Sequence, residues 1–168
     1  IRSDDPVVFF EHKGLFATKG QPAPPGHVVP LGEAATVRAG TDLTVVALAS
    51  TVPTALAAAD RLAAEGIDVE VIDLRCLVPL DVRTVLESVQ RTSRLVIVEE
   101  NPYQGGWGGT VASIVADEGF EALDAPVRRV ASASVPLPFA DVLEDQVIPT
   151  VDKVVEPYQV PITHLANT

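Results

Sequence analysis

Thr44-Val45-Val46-Ala47-Leu48-Ala49 is a continuous apolar run, the pattern of a strand covered on both faces. The segments after it decide the fold class. Residues 53–65 place Leu56, Ala59, Leu62 and Ala63 on one face, which is helical spacing. Glu65-Gly66 then ends that helix, with glycine as the left-handed cap. Ile67 to Leu74 reads as a second strand. Asp81 caps a helix running to about Thr92, with Val82, Val85, Leu86 and Val89 inward. Leu95 to Val98 is a third strand, Trp107 to Gly119 a third helix, Val127 to Val130 a fourth strand, and residues 147–156 a last short helix. This alternation predicts an α/β fold: a three-layer open sheet, mostly parallel, of four or five strands with helices on both faces. Each crossover should be right-handed.

Outside this frame the patterning changes. Pro6-Val7-Val8-Phe9-Phe10 opens a short, β-branched and aromatic run, read over 7–11 as a buried strand with no partner of its own. Gly20-Gln21-Pro22-Ala23-Pro24-Pro25-Gly26 is a linker, since its three prolines forbid helix and hold the chain extended. The expected organisation is a strand remnant over 1–19, a linker over 20–30, the α/β domain over 31–156 and a loosely held tail over 157–168. The chain starts at Ile1 and contains no methionine, which points to a piece of a longer protein.

Composition narrows the function classes. The 168 residues carry 23 Asp and Glu against 12 Lys and Arg, a net charge of −11. Nucleic acid is a poor partner for such a surface, because phosphates need clustered Lys and Arg. A basic partner suits it, and the charge field would steer one in. One cysteine excludes an internal disulfide and a cysteine-based zinc site. No apolar run reaches the roughly 18 residues of a membrane helix, so no membrane association is expected. With no leader pattern either, the expected compartment is the cytoplasm.

Ligands of open α/β sheets bind beyond the carboxyl ends of the strands, so the segments after each strand matter most. After the third strand comes Glu99-Glu100-Asn101-Pro102-Tyr103-Gln104-Gly105-Gly106-Trp107-Gly108-Gly109. Gly105, Gly106, Gly108 and Gly109 let the backbone approach a ligand or a neighbouring element closely. A helix starting there offers free N–H groups to a phosphate or carboxylate. The competing reading is a tight strand-to-helix turn or a subunit contact. It is the stronger one, because Val111 stands where a dinucleotide fingerprint requires glycine. Glu99 and Glu100 are adjacent on a strand and face opposite sides, so they do not form an acid/base pair; capping the helix or bonding loop amides is the role open to one of them.

The other candidates are weaker still. His12, His27 and His164 share no metal-ligand spacing, and no Gly-x-Ser-x-Gly elbow exists. Cys76 reads as a small buried thiol. Asp73 and Arg75, two apart, could bind substrate, but a loop-fixing salt bridge is the more ordinary reading. Ala133-Ser134-Val135-Pro136-Leu137-Pro138-Phe139 is a rigid strip that covers a core edge or faces another subunit. On residues alone this is an acidic α/β domain with no assembled catalytic set.

The order of several segments resembles the E1 beta subunit of 2-oxo acid dehydrogenase complexes. They begin with Val7-Val8-Phe9-Phe10-Glu11-His12-Lys13, Val29-Pro30-Leu31-Gly32-Glu33-Ala34 and Glu70-Val71-Ile72-Asp73-Leu74-Arg75-x-Leu77-x-Pro79-Leu80-Asp81. Val98-Glu99-Glu100 with Gly105-Gly106-Trp107-Gly108, and Leu123-Asp124-Ala125-Pro126-x-x-Arg129-Val130, continue the match. Val135-Pro136-x-Pro138-Phe139 and Leu143-Glu144-Asp145-x-x-Ile148-Pro149 complete it, so that it runs from about residue 4 to 156. The Glu11-His12-Lys13 segment is most similar to beta subunits acting on pyruvate or acetoin.

This resemblance implies a transketolase C-terminal-like fold and a thiamine diphosphate and magnesium enzyme built as an α2β2 heterotetramer. The implied partners are an E1 alpha subunit, a second E1 beta subunit and the basic peripheral-subunit-binding domain of E2. The family's cofactor-activating glutamate and active-site histidine fall upstream of Ile1. No catalytic, cofactor-binding or metal residue is therefore carried over, and the chain alone is expected to be inactive and to bind no cofactor. Asp124 is the position that matches the family's acidic contact to E2. Two other readings compete with this one. Another transketolase-like enzyme, such as a synthase making deoxyxylulose phosphate, lies within the same class. A stand-alone regulatory domain binding a nucleotide or anion at the 105–110 turn lies outside it.

Overall fold

A computed structural model describes residues 3–159. Five strands form one sheet in the order β1-β3-β2-β4-β5. They are β1 (Ala35–Arg38), β2 (Leu43–Ala47), β3 (Val69–Asp73), β4 (Leu95–Pro102) and β5 (Arg128–Ser132). β3, β2, β4 and β5 run parallel, and β1 pairs antiparallel along the outer edge of β3. The helices are α1 (Thr51–Ala63), α2 (Val82–Thr92), α3 (Gly108–Glu118), α4 (Asp141–Val147) and α5 (Val151–Gln159). The predicted three-layer, mostly parallel architecture is the observed one.

The two faces of the sheet carry separate cores. Leu43, Val45, Val71, Val96 and Val98 pack with Ala55, Ala59 and Leu62 of α1 and Val154 and Val155 of α5. Val46, Ile72 and Ile97 pack with Val85 and Val89 of α2 and Val111 and Val115 of α3. Alternate residues of one strand thus feed opposite cores, which is why β2 is apolar almost throughout and fully buried. Buried aliphatic side chains of this size contribute about 1.5–3 kcal/mol each.

Local signals explain most boundaries. Gly66 takes φ +85° after α1, while the Ile67 N–H reaches back to the Leu62 carbonyl. Asp81 caps α2 through the Thr84 N–H at 3.1 Å. Its other oxygen accepts from the Ala34 N–H at 2.9 Å, tying the start of the domain to α2.

Several expectations require correction. Residues 7–11 form no strand and are not buried: Phe9 is 81% and Phe10 90% exposed. Among the described residues no strand pairs with this segment, and an apolar run cannot make a strand without hydrogen-bonding neighbours. Ala63 is exposed, because Ala55 and Ala58 define the inner face of α1 together with Ala59 and Leu62. The single helix expected over 147–156 is divided. α4 ends at Val147 and α5 begins at Val151, with Pro149 between them holding Ile148 extended at ψ 162°. Cys76 is half-buried. Most of the 157–168 tail lies outside the described residues. No helix among the described residues is long and apolar enough to cross a membrane.

Candidate functional site

The strand order singles out one end of the sheet. From β2 the chain crosses by α1 to β3; from β3 it crosses by α2 over β2 to β4, and then by α3 to β5. The carboxyl ends of β2 and β4 therefore diverge, which is the switch point where open α/β sheets hold ligands. Two adjacent glutamates of β4 stand there, one on each face.

Glu99 faces α3 and is completely buried. Its Oε2 accepts the Gly108 N–H at 2.8 Å, and its Oε1 accepts Arg129 Nε at 2.9 Å and also Arg129 Nη2. Arg129, on β5, has a side chain only 9% exposed. Its Nη2 also donates to the Tyr103 carbonyl at 2.8 Å, and its guanidinium lies 4.1 Å from the centre of the Tyr103 ring. The glycines follow from this. A Cβ at Gly106 would meet Glu99 Oε2, and one at Gly108 would meet Glu99 Oε1, both well inside van der Waals contact. Gly105 adopts φ +77°, which a side chain resists. Gly109 is looser, with Arg129 Nη1 3.4 Å from its Cβ position. The carboxylate of the protein itself therefore sits at the positive end of α3. Of the roles open to the two glutamates, Glu99 takes the capping of the helix, through the Gly108 N–H that opens α3. Arg129, 30 residues away, carries no local signal of its part in this arrangement.

Glu100 faces the other way. It receives a hydrogen bond from Ser50 Oγ, just before α1, and its Oε2 lies 3.1 Å from His12 Nε2. Both side chains of the His12–Glu100 pair are about one-third exposed, at 33% and 34%. Nothing in the sequence near Ser50 or His12 announces this contact. Only the switch-point rule, which marks the residues after β2, points toward Ser50.

The remaining candidates lie elsewhere. Asp124 sits at the opposite, amino end of the sheet, in the turn before β5. It is exposed, and its backbone N–H donates to the Ser93 carbonyl at 2.9 Å. Its carboxylate has no hydrogen-bond or ion-pair partner among the described residues. The expected Asp73–Arg75 salt bridge is instead a backbone contact, the Arg75 N–H donating to Asp73 Oδ1 at 3.0 Å. Burial raises the pKa of Asp73, against the opposing pull of that N–H and of the Arg75 charge. Partial burial also pushes Asp81 upward, but the N–H groups of Ala34 and Thr84, the Thr84 hydroxyl and the Arg83 charge outweigh it and hold the carboxyl below its ordinary value. In the 133–139 strip, Val135, Leu137 and Phe139 are exposed, and Ser134 Oγ donates to Gln104 in the glycine loop.

A diphosphate with its metal does not fit these residues. Among the described residues no group of three or more His, Cys, Asp and Glu side chains could hold a metal ion. The one glycine-rich helix start among the described residues already accommodates Glu99.

Comparison with known proteins places this geometry in a family. The chain is 43% identical over 155 residues to the beta subunit of acetoin:2,6-dichlorophenolindophenol oxidoreductase of Bacillus subtilis, covering 92% of this chain and 45% of that protein. It is 45% identical over 156 residues to the pyruvate dehydrogenase E1 component subunit beta of Leifsonia xyli, covering 93% and 46%. The chain thus spans about half the length of the curated relatives it matches. Among solved structures it resembles a split-gene transketolase, described as an inactive beta4 tetramer, with TM-score 0.71 and 31% identity over 86% of this chain and 46% of that one. Residues 32–154, containing the whole sheet and both glutamates of β4, match the C-terminal domain of transketolase, and the chain belongs to that family.

Proposed function

We propose that this chain is the assembly half of an E1 beta subunit in a 2-oxo acid dehydrogenase complex. Its part in oxidative decarboxylation is to join subunits, while thiamine diphosphate and magnesium are held elsewhere in the assembled enzyme. The similarity to beta subunits of pyruvate and acetoin enzymes over most of the chain carries this reading. Two features of the fold support it. The glycine turn is used to enclose Glu99, so we assign Gly105, Gly106, Gly108 and Gly109 to structure rather than to anion binding. The apolar side chains of 7–10 and 135–139 stand in solvent, as surfaces cut from an assembly would.

The domain organisation follows from the same reading. Residues 1–19 belong with a preceding domain, 20–30 link the two, and 31–156 is the unit that folds. The partners are an E1 alpha subunit, a second beta subunit and the basic E2 module, which lands on Asp124. An exposed, unpaired carboxylate on a chain of net charge −11 is a suitable landing point for a cationic helical module.

The test is a decarboxylation assay with pyruvate, thiamine diphosphate and magnesium. The 168-residue chain alone should show no turnover. Turnover by the chain alone would overturn the assignment.

A further inference from the structure

Residues 16–31 stand clear of the domain. All are exposed, and a Cβ added at Gly20 or Gly26 would meet nothing within 4 Å. The segment before them is therefore not placed by the chain that follows it. On the far side the chain is fixed at Ala34, whose N–H is held by Asp81 and whose neighbour Ala35 pairs with Asp73 of β3. On the near side it is fixed at His12.

His12 precedes a 3-10 turn, Lys13–Leu15, and its carbonyl accepts the Leu15 N–H at 3.0 Å. Positions three apart in such a turn lie on one side. His12 and Leu15 are accordingly half-buried, while Glu11, Lys13, Gly14 and Phe16 are exposed. The imidazole Nδ1 is enclosed, and Nε2 lies 3.1 Å from Glu100 Oε2. Charged or neutral, the ring can carry a proton on Nε2 and donate it to the carboxylate. Among the described residues of 3–31, His12 is the one with a hydrogen bond or ion pair to the domain. Ser50 supports the acceptor. A serine just before a helix usually caps it, yet Ser50 makes no such bond to α1 and gives its hydroxyl proton to Glu100 instead.

We propose that Glu100, oriented by Ser50, is a latch that holds His12 and so seats the 3–19 segment on the carboxyl end of the sheet. The two fixed points lie on β4 and beside β3, with β2 between them, so the latched chain is a strap whose ends straddle β2. Two strand spacings amount to about 10 Å, and residues 13–33 reach several times that at about 3.3 Å each. With the latch open, the linker alone leaves the orientation of the segment unset. The pair is one-third exposed and holds weakly, and a segment with few buried contacts opens without the domain unfolding. In an E1 beta subunit the latch sets the preceding domain against this one, but the latch itself rests on contacts within this chain.

The test is limited tryptic digestion of the folded 168-residue chain, read by mass spectrometry as initial rates of cleavage after Lys13 and after Lys19. Lys13 lies in the seated turn and Lys19 in the free loop, so the second cut is the internal control. At low protease the rate follows the population of the open state. Glu100→Ala and His12→Phe should each speed the Lys13 cut about fivefold, the worth of one hydrogen-bonded pair, and leave the Lys19 cut unchanged. The double variant should be no faster than the faster single one, since both remove the same contact. Ser50→Ala should speed the Lys13 cut about twofold, the low end for a hydrogen bond, and add nothing in the Glu100→Ala background. Unchanged Lys13 cleavage in any of the single variants, multiplied effects in a double one, or equal acceleration at both lysines would overturn the latch. The decarboxylation assay does not bear on these outcomes, so the latch and the E1 beta reading can fail separately.

Discussion

Glu99 at the end of β4 and Arg129 on β5 form a buried ion pair that closes the glycine turn onto the sheet. The pair connects three elements, because the same carboxylate holds the first N–H of α3 and the same guanidinium holds the Tyr103 carbonyl. A charge in such a place is tolerated only while its partner remains.

Removing Arg129 should therefore be severe. Arg129→Met leaves the buried Glu99 side chain without its cationic partner, and a loss of about 3–5 kcal/mol is expected in denaturant unfolding. The double variant Glu99→Gln with Arg129→Met should recover part of that loss. Equal stability of Arg129→Met and wild type would show that the pair is not needed.

The glycine turn gives a graded series. Gly106→Ala and Gly108→Ala force a methyl into Glu99 and should each cost about 1–3 kcal/mol, the usual penalty of overpacking. Gly109→Ala has room and should lie within about 0.5 kcal/mol of wild type. If all three substitutions were equally neutral, the turn would not be shaped by Glu99.

Asp81 predicts an acid-dependent loss. Its pKa is lowered in the folded state, so its contribution is complete above the unfolded aspartate value of about 3.9 and disappears as pH falls through the folded value. Asp81→Ala should cost about 1–2 kcal/mol at pH 7, for the helix cap and the Ala34 contact together. Thermal unfolding at a series of pH values should show the gap closing below about pH 4. A gap that is constant with pH would contradict the assignment.

Asp73 predicts the opposite sign. Its pKa is raised by burial, so its charged form is disfavoured in the fold, and its relative contribution falls as pH rises through the folded value. Asp73→Asn keeps an oxygen for the Arg75 N–H and removes the charge. Its melting temperature should exceed that of wild type at about pH 7 and match it near about pH 3, below both values. A lower melting temperature at neutral pH would rule this out.

Much of the layered fold is readable because its signals are local. Thr44 to Ala49, Ile67 to Leu74 and Leu95 to Val98 announce themselves as apolar runs, and Asp81 and Gly66 mark helix ends by their own chemistry. β1 escapes a reading of the sequence because Ala35–Arg38 is short and its middle is exposed, so it has little hydrophobic pattern. The 7–11 run misleads because β-propensity says nothing about whether a partner strand is present. In the site, the glycines and Glu99 stand in one stretch of sequence, and their relation is half legible there. Arg129, Ser50 and His12 come from 30, 50 and 88 residues away, and only the topology brings them to β4.

Assembly with a basic module through Asp124 is tested most directly by calorimetric titration of the chain with a purified E2 peripheral-subunit-binding domain, comparing wild type with Asp124→Ala. The wild-type chain should bind, and Asp124→Ala should weaken binding about tenfold or more, the cost of one interfacial charge contact, while its melting temperature stays unchanged. Equal affinity of the two proteins, or no binding by either, would contradict this role.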